Sequence, residues 1–353
     1  MLRNKILEMD FFLYFIFSLL VLGVNGDCHL ARHMVEGTNR IPSYRDASGA
    51  LQLQRMETVP AGVTLYMFCS GSDMVENQCQ HNGQFTLAWP MTCSNPLSTE
   101  LQRIQDKDCA YDAYAVGYRI EGQFLELYRA CFDAKEARVL YAQSDLYYKT
   151  YFAKRPFVDF AMDQLYTPAE AVAYRKDNMF RSFQNIYGAG QSYLPNMQQL
   201  VINRGHLVAS ADFLFPDQMC STFRYLNVVP QFRSINDGNW RRIEEWIRSQ
   251  VSNKQAFRIK TGGIDTLTLK DQQGVERCAY LIGAKLPVPQ WIYKVVRDSY
   301  GKGLYVFLSY NSNFEQQRPV VLSICKTVAC PLSLADNPLD GFIFCCNAAT
   351  FPY

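Results

Sequence analysis

The sequence predicts an α+β protein in which a small, disulfide-rich, β-rich module precedes a larger domain that mixes strands with helix. Three observations carry this. Twelve cysteines fall six before residue 135 and six after it, with no Cys-x-x-Cys pair that would suggest zinc or a redox site. Short apolar runs broken by turn residues fill the N-terminal third. One later segment, "INDGNWRRIEEWIRSQV", sets Trp240, Ile243, Ile247 and Val251 at helical spacing.

In chain order, Arg3 and Lys5 precede the apolar run "FFLYFIFSLLVLGV", which ends near the small residue Gly26. Residues 1–26 therefore read as a cleaved secretory signal. The run is shorter than the roughly 20 residues a membrane-spanning helix needs, so no membrane anchor is expected after its removal. Residues 27–125 form the expected Cys-rich module, either a pro-region or a stabilising accessory, with strands in "AGVTLYMFCSGSD", "NGQFTLAWPMTC" and "AYAVGYRI". Cys28, Cys69, Cys79, Cys93 and Cys109 fall in it, and Cys131 falls within the expected boundary zone between residues 120 and 135.

The second domain, 126–353, opens with alternating apolar positions in "ARVLYAQSDL". "QQLVIN" reads as a strand that delivers "RGH" at its end, and Asn236 or Asp237 offers an N-cap for the helix that follows. "AYLIGAKLPVPQWIYKVVRD" and "GLYVFLSYNS" add further strands. Six cysteines, Cys220, Cys278, Cys325, Cys330, Cys345 and Cys346, could close a second set of bridges within this half. Neighbours Cys345 and Cys346 point in different directions along an extended chain and so should bond different partners. No Asn-x-Ser/Thr sequon occurs.

Composition excludes several function classes. With 48% hydrophobic and 19% charged residues the chain is globular, not disordered. A net charge of +2 advertises no polyanion partner globally, so a nucleic-acid surface would have to be local. No Gly-rich phosphate loop and no internal repeat is present.

Of four histidines, three (His29, His33 and His81) lie in the first quarter, which leaves His206 alone in "NRGHLVASADF". His206 beside Arg204 is a base next to a fixed cation. Imidazole takes a proton from water near neutral pH, and guanidinium matches phosphate oxygens in a bidentate fork, so a phosphodiester uses both. The alternative is a histidine satisfied by a buried hydrogen bond. "RYLNVVPQFRSINDGNWRRIEEW" then supplies Asn227, Gln231, Asn236 and Glu244. Asn236 and Glu244, eight residues apart, can share one side of a helix. One amide oxygen and an outer carboxylate suffice for Mg²⁺, which keeps several of its waters. Taken singly, Asn236 reads equally as a cap and Glu244 as a solvated helix residue.

Together, "NRGHLVASADF" and "YLNVVPQFRSINDGNWRRIE" resemble the signature of the DNA/RNA non-specific endonuclease family with its ββα-metal site. The resemblance extends to secreted arthropod members, the gut double-stranded ribonucleases of insects and the duplex-preferring nucleases of crustaceans. It implies a ββα-metal domain with a mixed or antiparallel sheet, DNA and RNA substrates, Mg²⁺ or Mn²⁺ as cofactor, and an extracellular setting such as the gut lumen. It also implies that His206 is the general base, Asn236 the metal ligand, Glu244 the holder of the metal's water shell, and Asn227 and Gln231 groups lining the site. Arg204 matches the arginine beside the base. An upstream arginine that stabilises the pentacovalent phosphate falls on Arg175, with Arg181 as rival. The common motif begins with aspartate, where this chain has Asn203. A basic set, Arg224, Arg233, Arg241, Arg242 and Arg248, surrounds the motif and could follow a duplex. The contrasting expectation is a secreted nucleic-acid-binding or interaction protein that keeps the fold without turnover.

Overall fold

The computed structural model describes residues 26–70, 72–253 and 255–353, so the expected signal segment, apart from Gly26, lies outside the described residues. The first part is a four-stranded antiparallel sheet in the order Leu51–Leu53, Ile41–Arg45, Thr64–Phe68 and Met74–Gln78. Cys28–Cys79 and Cys69–Cys93 bridge it to its flanking segments. The expected strand in "NGQFTLAWPMTC" is absent, and that segment makes only isolated bridges, Asn82 with Gly26 and Phe85 with Cys79. The buried side-chain amide of Asn77 takes the place of a strand partner there. It donates to the Leu87 carbonyl and accepts from the Leu87 amide at 2.8 Å.

A nine-stranded antiparallel sheet forms the rest of the frame. Its order is Thr327–Val328, Ile343–Cys346, Gly303–Tyr310, Pro289–Arg297, Phe257–Thr266, Arg138–Leu146, Gln123–Asp133, Asp112–Ile120 and Glu100–Ile104. The expected division at residue 125 therefore falls inside a strand. Asp112–Ile120 and Gln123–Asp133 are one hairpin, closed by Glu121 and Gly122 at φ 51° and 78°. Positive φ at both positions is what a two-residue turn between twisted strands requires. We place the divide before Glu100 instead.

The helices Arg32–Gly37, Pro168–Val172, Lys176–Tyr187 and Pro216–Cys220 add to the one expected from the sequence. Thr167 and Glu170 cap Pro168–Val172 reciprocally, the Thr-x-x-Glu signature of a capping box. Lys176–Tyr187 buries Met179, Phe183 and Tyr187, four residues apart.

The ββα unit lies against one face of the large sheet. Ile202–His206 pairs antiparallel with Val228–Phe232, and the helix Arg241–Gln250 follows. The strand delivers "RGH" as its last three residues, as expected. The helix buries Ile243 and Ile247, and Trp246 packs edge-on against Tyr305 and Phe307 of the sheet.

Three bridges close the first six cysteines, through Cys109–Cys131, and Cys325–Cys346 and Cys330–Cys345 close four of the second six. Cys345 and Cys346 do take different partners. Cys220 and Cys278 are free, so full pairing of the second half is corrected. Thiol titration of the denatured, unreduced protein should therefore find two reactive groups, mapping to Cys220 and Cys278. Detection of none would place a sixth bridge between them.

Candidate active site

Gly205 explains why the histidine strand can lie so close to its partner. A Cβ at Gly205 would come 2.4 Å from Gln231 Oε1, so only glycine permits this approach. The register sets His206 opposite Val228 and Arg204 opposite Pro230. Asn227, fully buried, locks the exit of the strand. Its amide oxygen accepts from the Val208 amide at 2.9 Å, and its Nδ2 donates to the carbonyls of Val208 and Thr222.

From Phe232 the chain enters a short helical turn and then departs from the expected path. The regular helix begins at Arg241, not at Asn236, and neither Asn236 nor Asp237 caps it. Gly238 leaves helical conformation, and a Cβ there would meet Asp340 at 2.9 Å. The neighbouring Asn239 is buried. Its side chain donates to the carbonyls of Ala335 and Gly341 at 2.8 Å and accepts from the Ala335 amide. The C-terminal loop thus pins the kink, and the widened turn presents Asn236.

These elements bring His206, Asn236 and Glu244 to one cavity of about 380 Å³, together with Arg155, Arg241 and Arg248. A wider hollow of about 750 Å³ beside Arg129 and Arg258 contains no histidine. His206 Nε2 is buried without a hydrogen-bond partner. Burial first, and then the Arg155 guanidinium, push the imidazole down to about 3, so it is a neutral acceptor in the folded protein. Phe160 and Phe223 flank the ring at 5.5 and 5.2 Å.

Glu244 stands over a buried charge network. Burial raises its pKa, opposed by Lys294 and Arg248. Lys294, 2% exposed, rises from the central sheet to within 3.6 Å of Glu244 and donates to Thr261 Oγ1 at 2.9 Å. Arg248 is held by Asp212 at 2.9 Å. Lys294 and Asp212 are positioning groups that the sequence reading did not include. A lysine in the apolar run "WIYKVVRD" was the available signal.

Arg155 is the other omission. It lies over the Phe223 ring at 4.9 Å, lines the cavity and faces both His206 and Glu244. Arg175 does not reach the cavity: it is exposed and immediately precedes the helix Lys176–Tyr187. Arg181 pairs with Asp177 and lines a separate hollow beside Leu281. Arg204 stacks on Phe160 at 4.5 Å and donates to the Tyr225 hydroxyl, outside the cavity lining. Asn227 and Gln231 are buried, and neither lines the cavity. Asn227 has spent its amide on backbone, and Gln231 packs beneath Gly205.

The expected basic surface also divides. Arg224 is buried against Asp163 and the Thr99 carbonyl, which removes it from any duplex path. Arg233 and Arg241 pair one turn ahead with Asp237 and Glu245, and Arg242 is exposed.

The donors suit a hard divalent cation, because the oxygens of Asn236 and Glu244 share a cavity with room for water. Among the described residues no cluster of three His, Cys, Asp or Glu side chains could hold a metal. The pKa of His206 gives a stability test with a definite sign. The unfolded histidine gains a proton as pH falls through about 6.5, whereas the folded one stays neutral until about 3. Stability should therefore fall across that window. His206→Asn should flatten the fall in urea midpoint between about pH 7 and 4 in EDTA, and an unchanged slope would contradict the burial of the imidazole.

Comparison with known proteins adds independent findings. Residues 109–351 match the model of the DNA/RNA non-specific endonuclease family. A salivary endonuclease of Lutzomyia longipalpis is 27% identical over 306 residues, spanning 82% of this chain and 72% of that protein. Salivary protein Tsal2A of Glossina morsitans morsitans is 23% identical over 330 residues, 84% of this chain and 82% of its own. The mitochondrial nuclease EXOG of Xenopus laevis is 32% identical over 96 residues, 26% of each chain.

Proposed function

Because the chain belongs to the DNA/RNA non-specific endonuclease family, we propose that it is a secreted, Mg²⁺-dependent endonuclease that hydrolyses DNA and RNA, double-stranded RNA included, to 5′-phosphate products. The observation that carries this reading is the single cavity in which the orphaned His206 Nε2 meets Asn236, Glu244 and Arg155.

His206 accepts the proton of the attacking water at Nε2. A neutral imidazole is the competent form, and burial, aided by the Arg155 cation, keeps it so. Arg155 offers a planar fork to the phosphate oxygens, where negative charge develops. Lys294 and Arg248 hold Glu244 at the cavity wall, and Asn236 turns its amide toward the same space. Mg²⁺, or Mn²⁺ in its stead, would be held by Asn236 directly and by Glu244 through water, and when bound supplies charge neutralisation at the phosphate and the leaving oxygen. External water as nucleophile makes the ribose 2′-hydroxyl unnecessary, so both sugars serve. Arginine recognition of the backbone supports action on duplexes as well as single strands.

Five disulfides support export, as does the salivary naming of two relatives. Among the described residues no helix is long and apolar enough to cross a membrane.

Double-stranded RNA and DNA incubated with the purified protein, with Mg²⁺ or EDTA, test the proposal. His206→Ala should lower the rate by about 10²- to 10⁴-fold. Binding without cleavage by the wild type would instead favour a non-catalytic nucleic-acid-binding protein. Asn236→Ala makes a sharper distinction, because its one side-chain hydrogen bond runs to Asp237 at 3.3 Å and caps nothing. Thermal stability should hold while activity falls by orders of magnitude and partly recovers at high Mg²⁺. Unchanged Mg²⁺ dependence would remove Asn236 as the ligand.

A further inference from the structure

The segment that ends in Arg155 is held from outside the nuclease domain. After the strand Arg138–Leu146, Lys149 anchors one side by donating to the carbonyls of Ala211, in the cavity wall, and Phe213. The next five residues are gripped by the N-terminal module at four positions. The buried carboxylate of Glu57 accepts from the Thr150 amide at 2.9 Å, and the Tyr151 hydroxyl donates to the Leu30 carbonyl. Arg32 Nη2 donates to the Phe152 carbonyl at 2.5 Å, and Glu36 Oε1 accepts from the Lys154 amide at 2.6 Å. Ala153, between them, is buried. Arg155 comes next, exposed at the cavity, with its guanidinium over Phe223.

No strand of either sheet includes residues 149–155, so ladder hydrogen bonds do not set their path. A loop without a ladder keeps one conformation only if its backbone groups find partners elsewhere. Here the module supplies them. We propose that the N-terminal module is a positioning part of the active site, with Arg32, Glu36 and Glu57 clamping the Thr150–Lys154 backbone so that Arg155 meets the phosphate opposite His206. This assigns the module a role in turnover, distinct from a pro-region whose removal releases activity. It rests on the reading of the cavity as a phosphodiesterase site.

Misplacing a transition-state group by about 1 Å costs up to about 10²-fold in rate while leaving binding less affected. The test uses the full chain. In Arg32→Ala/Glu36→Ala, both substituted side chains lie at the surface of the short helix Arg32–Gly37, and the module's buried Val35 is retained. Amide exchange at Lys154 should quicken while that of Leu65 and Met67 in the module's sheet does not change. kcat should fall about tenfold or more, with a smaller change in KM, and Glu36→Gln, which keeps an oxygen acceptor, should stay near wild type. In an Arg155→Ala background the double substitution should cause no further loss, because the group it positions is gone.

Unchanged exchange at Lys154 would overturn the clamp. So would a full rate in the double variant, or a loss of equal size with and without Arg155. A wild-type protein without nuclease activity would defeat the reading of the cavity instead, and the exchange measurement would still decide the clamp.

Discussion

Asn227 commits its entire side-chain amide to the backbone of Val208 and Thr222, and the geometry around His206 depends on that commitment. A pair of five-residue strands is too short to hold a register unaided, since isolated two-stranded ribbons are marginal in water. Two more buried asparagines complete the fastening. Asn311 donates to the carbonyls of Pro230 and Pro289 and accepts from the Phe232 amide, which ties the second arm to the central sheet. Asn239 fixes the kink to the C-terminal loop. That loop is itself bounded by the bridges Cys325–Cys346 and Cys330–Cys345. Each amide satisfies backbone groups that no ladder reaches, and leaving such groups unpaired costs about 1–3 kcal/mol apiece.

On that frame the site sets charges against burial. Lys294 and Glu244, and Arg248 and Asp212, are pairs taken largely out of water. Buried pairs add little net stability and break expensively, so their value here is positional. They hold a carboxylate at the cavity wall. At His206 burial and then the fixed Arg155 cation act the other way, both disfavouring a positive charge on the imidazole.

The parts legible in the sequence were those written locally. "RGH" and "NDGNW" are short strings that carry the family resemblance, and the residues it implied, His206, Asn236 and Glu244, do line one cavity. The different partners of Cys345 and Cys346 followed from strand alternation. Arg155 was hidden because a loop clamped by a separate module brings it to the site, and no spacing encodes that. The helix start was misread because Asn236 and Asp237 both look like caps. Gly238 and the pull of Asn239 on the C-terminal loop decided otherwise. Arg224 read as surface charge because its partner Asp163 is distant in sequence. Residue 125 failed as a boundary although Glu121-Gly122 carries a hairpin signal. Asn227 and Gln231 were expected to line the site, and burial turned both into supports.

The central claim is that the cavity joining His206, Asn236, Glu244 and Arg155 is where phosphodiester cleavage occurs. Its most direct test compares kcat for Arg155→Ala and Arg175→Ala on one RNA duplex in Mg²⁺. The geometry predicts a loss of about 10²-fold or more at Arg155, the magnitude typical of a transition-state charge donor, and a rate close to wild type at Arg175. A normal rate in Arg155→Ala, with the loss at Arg175, would contradict the placement of the site.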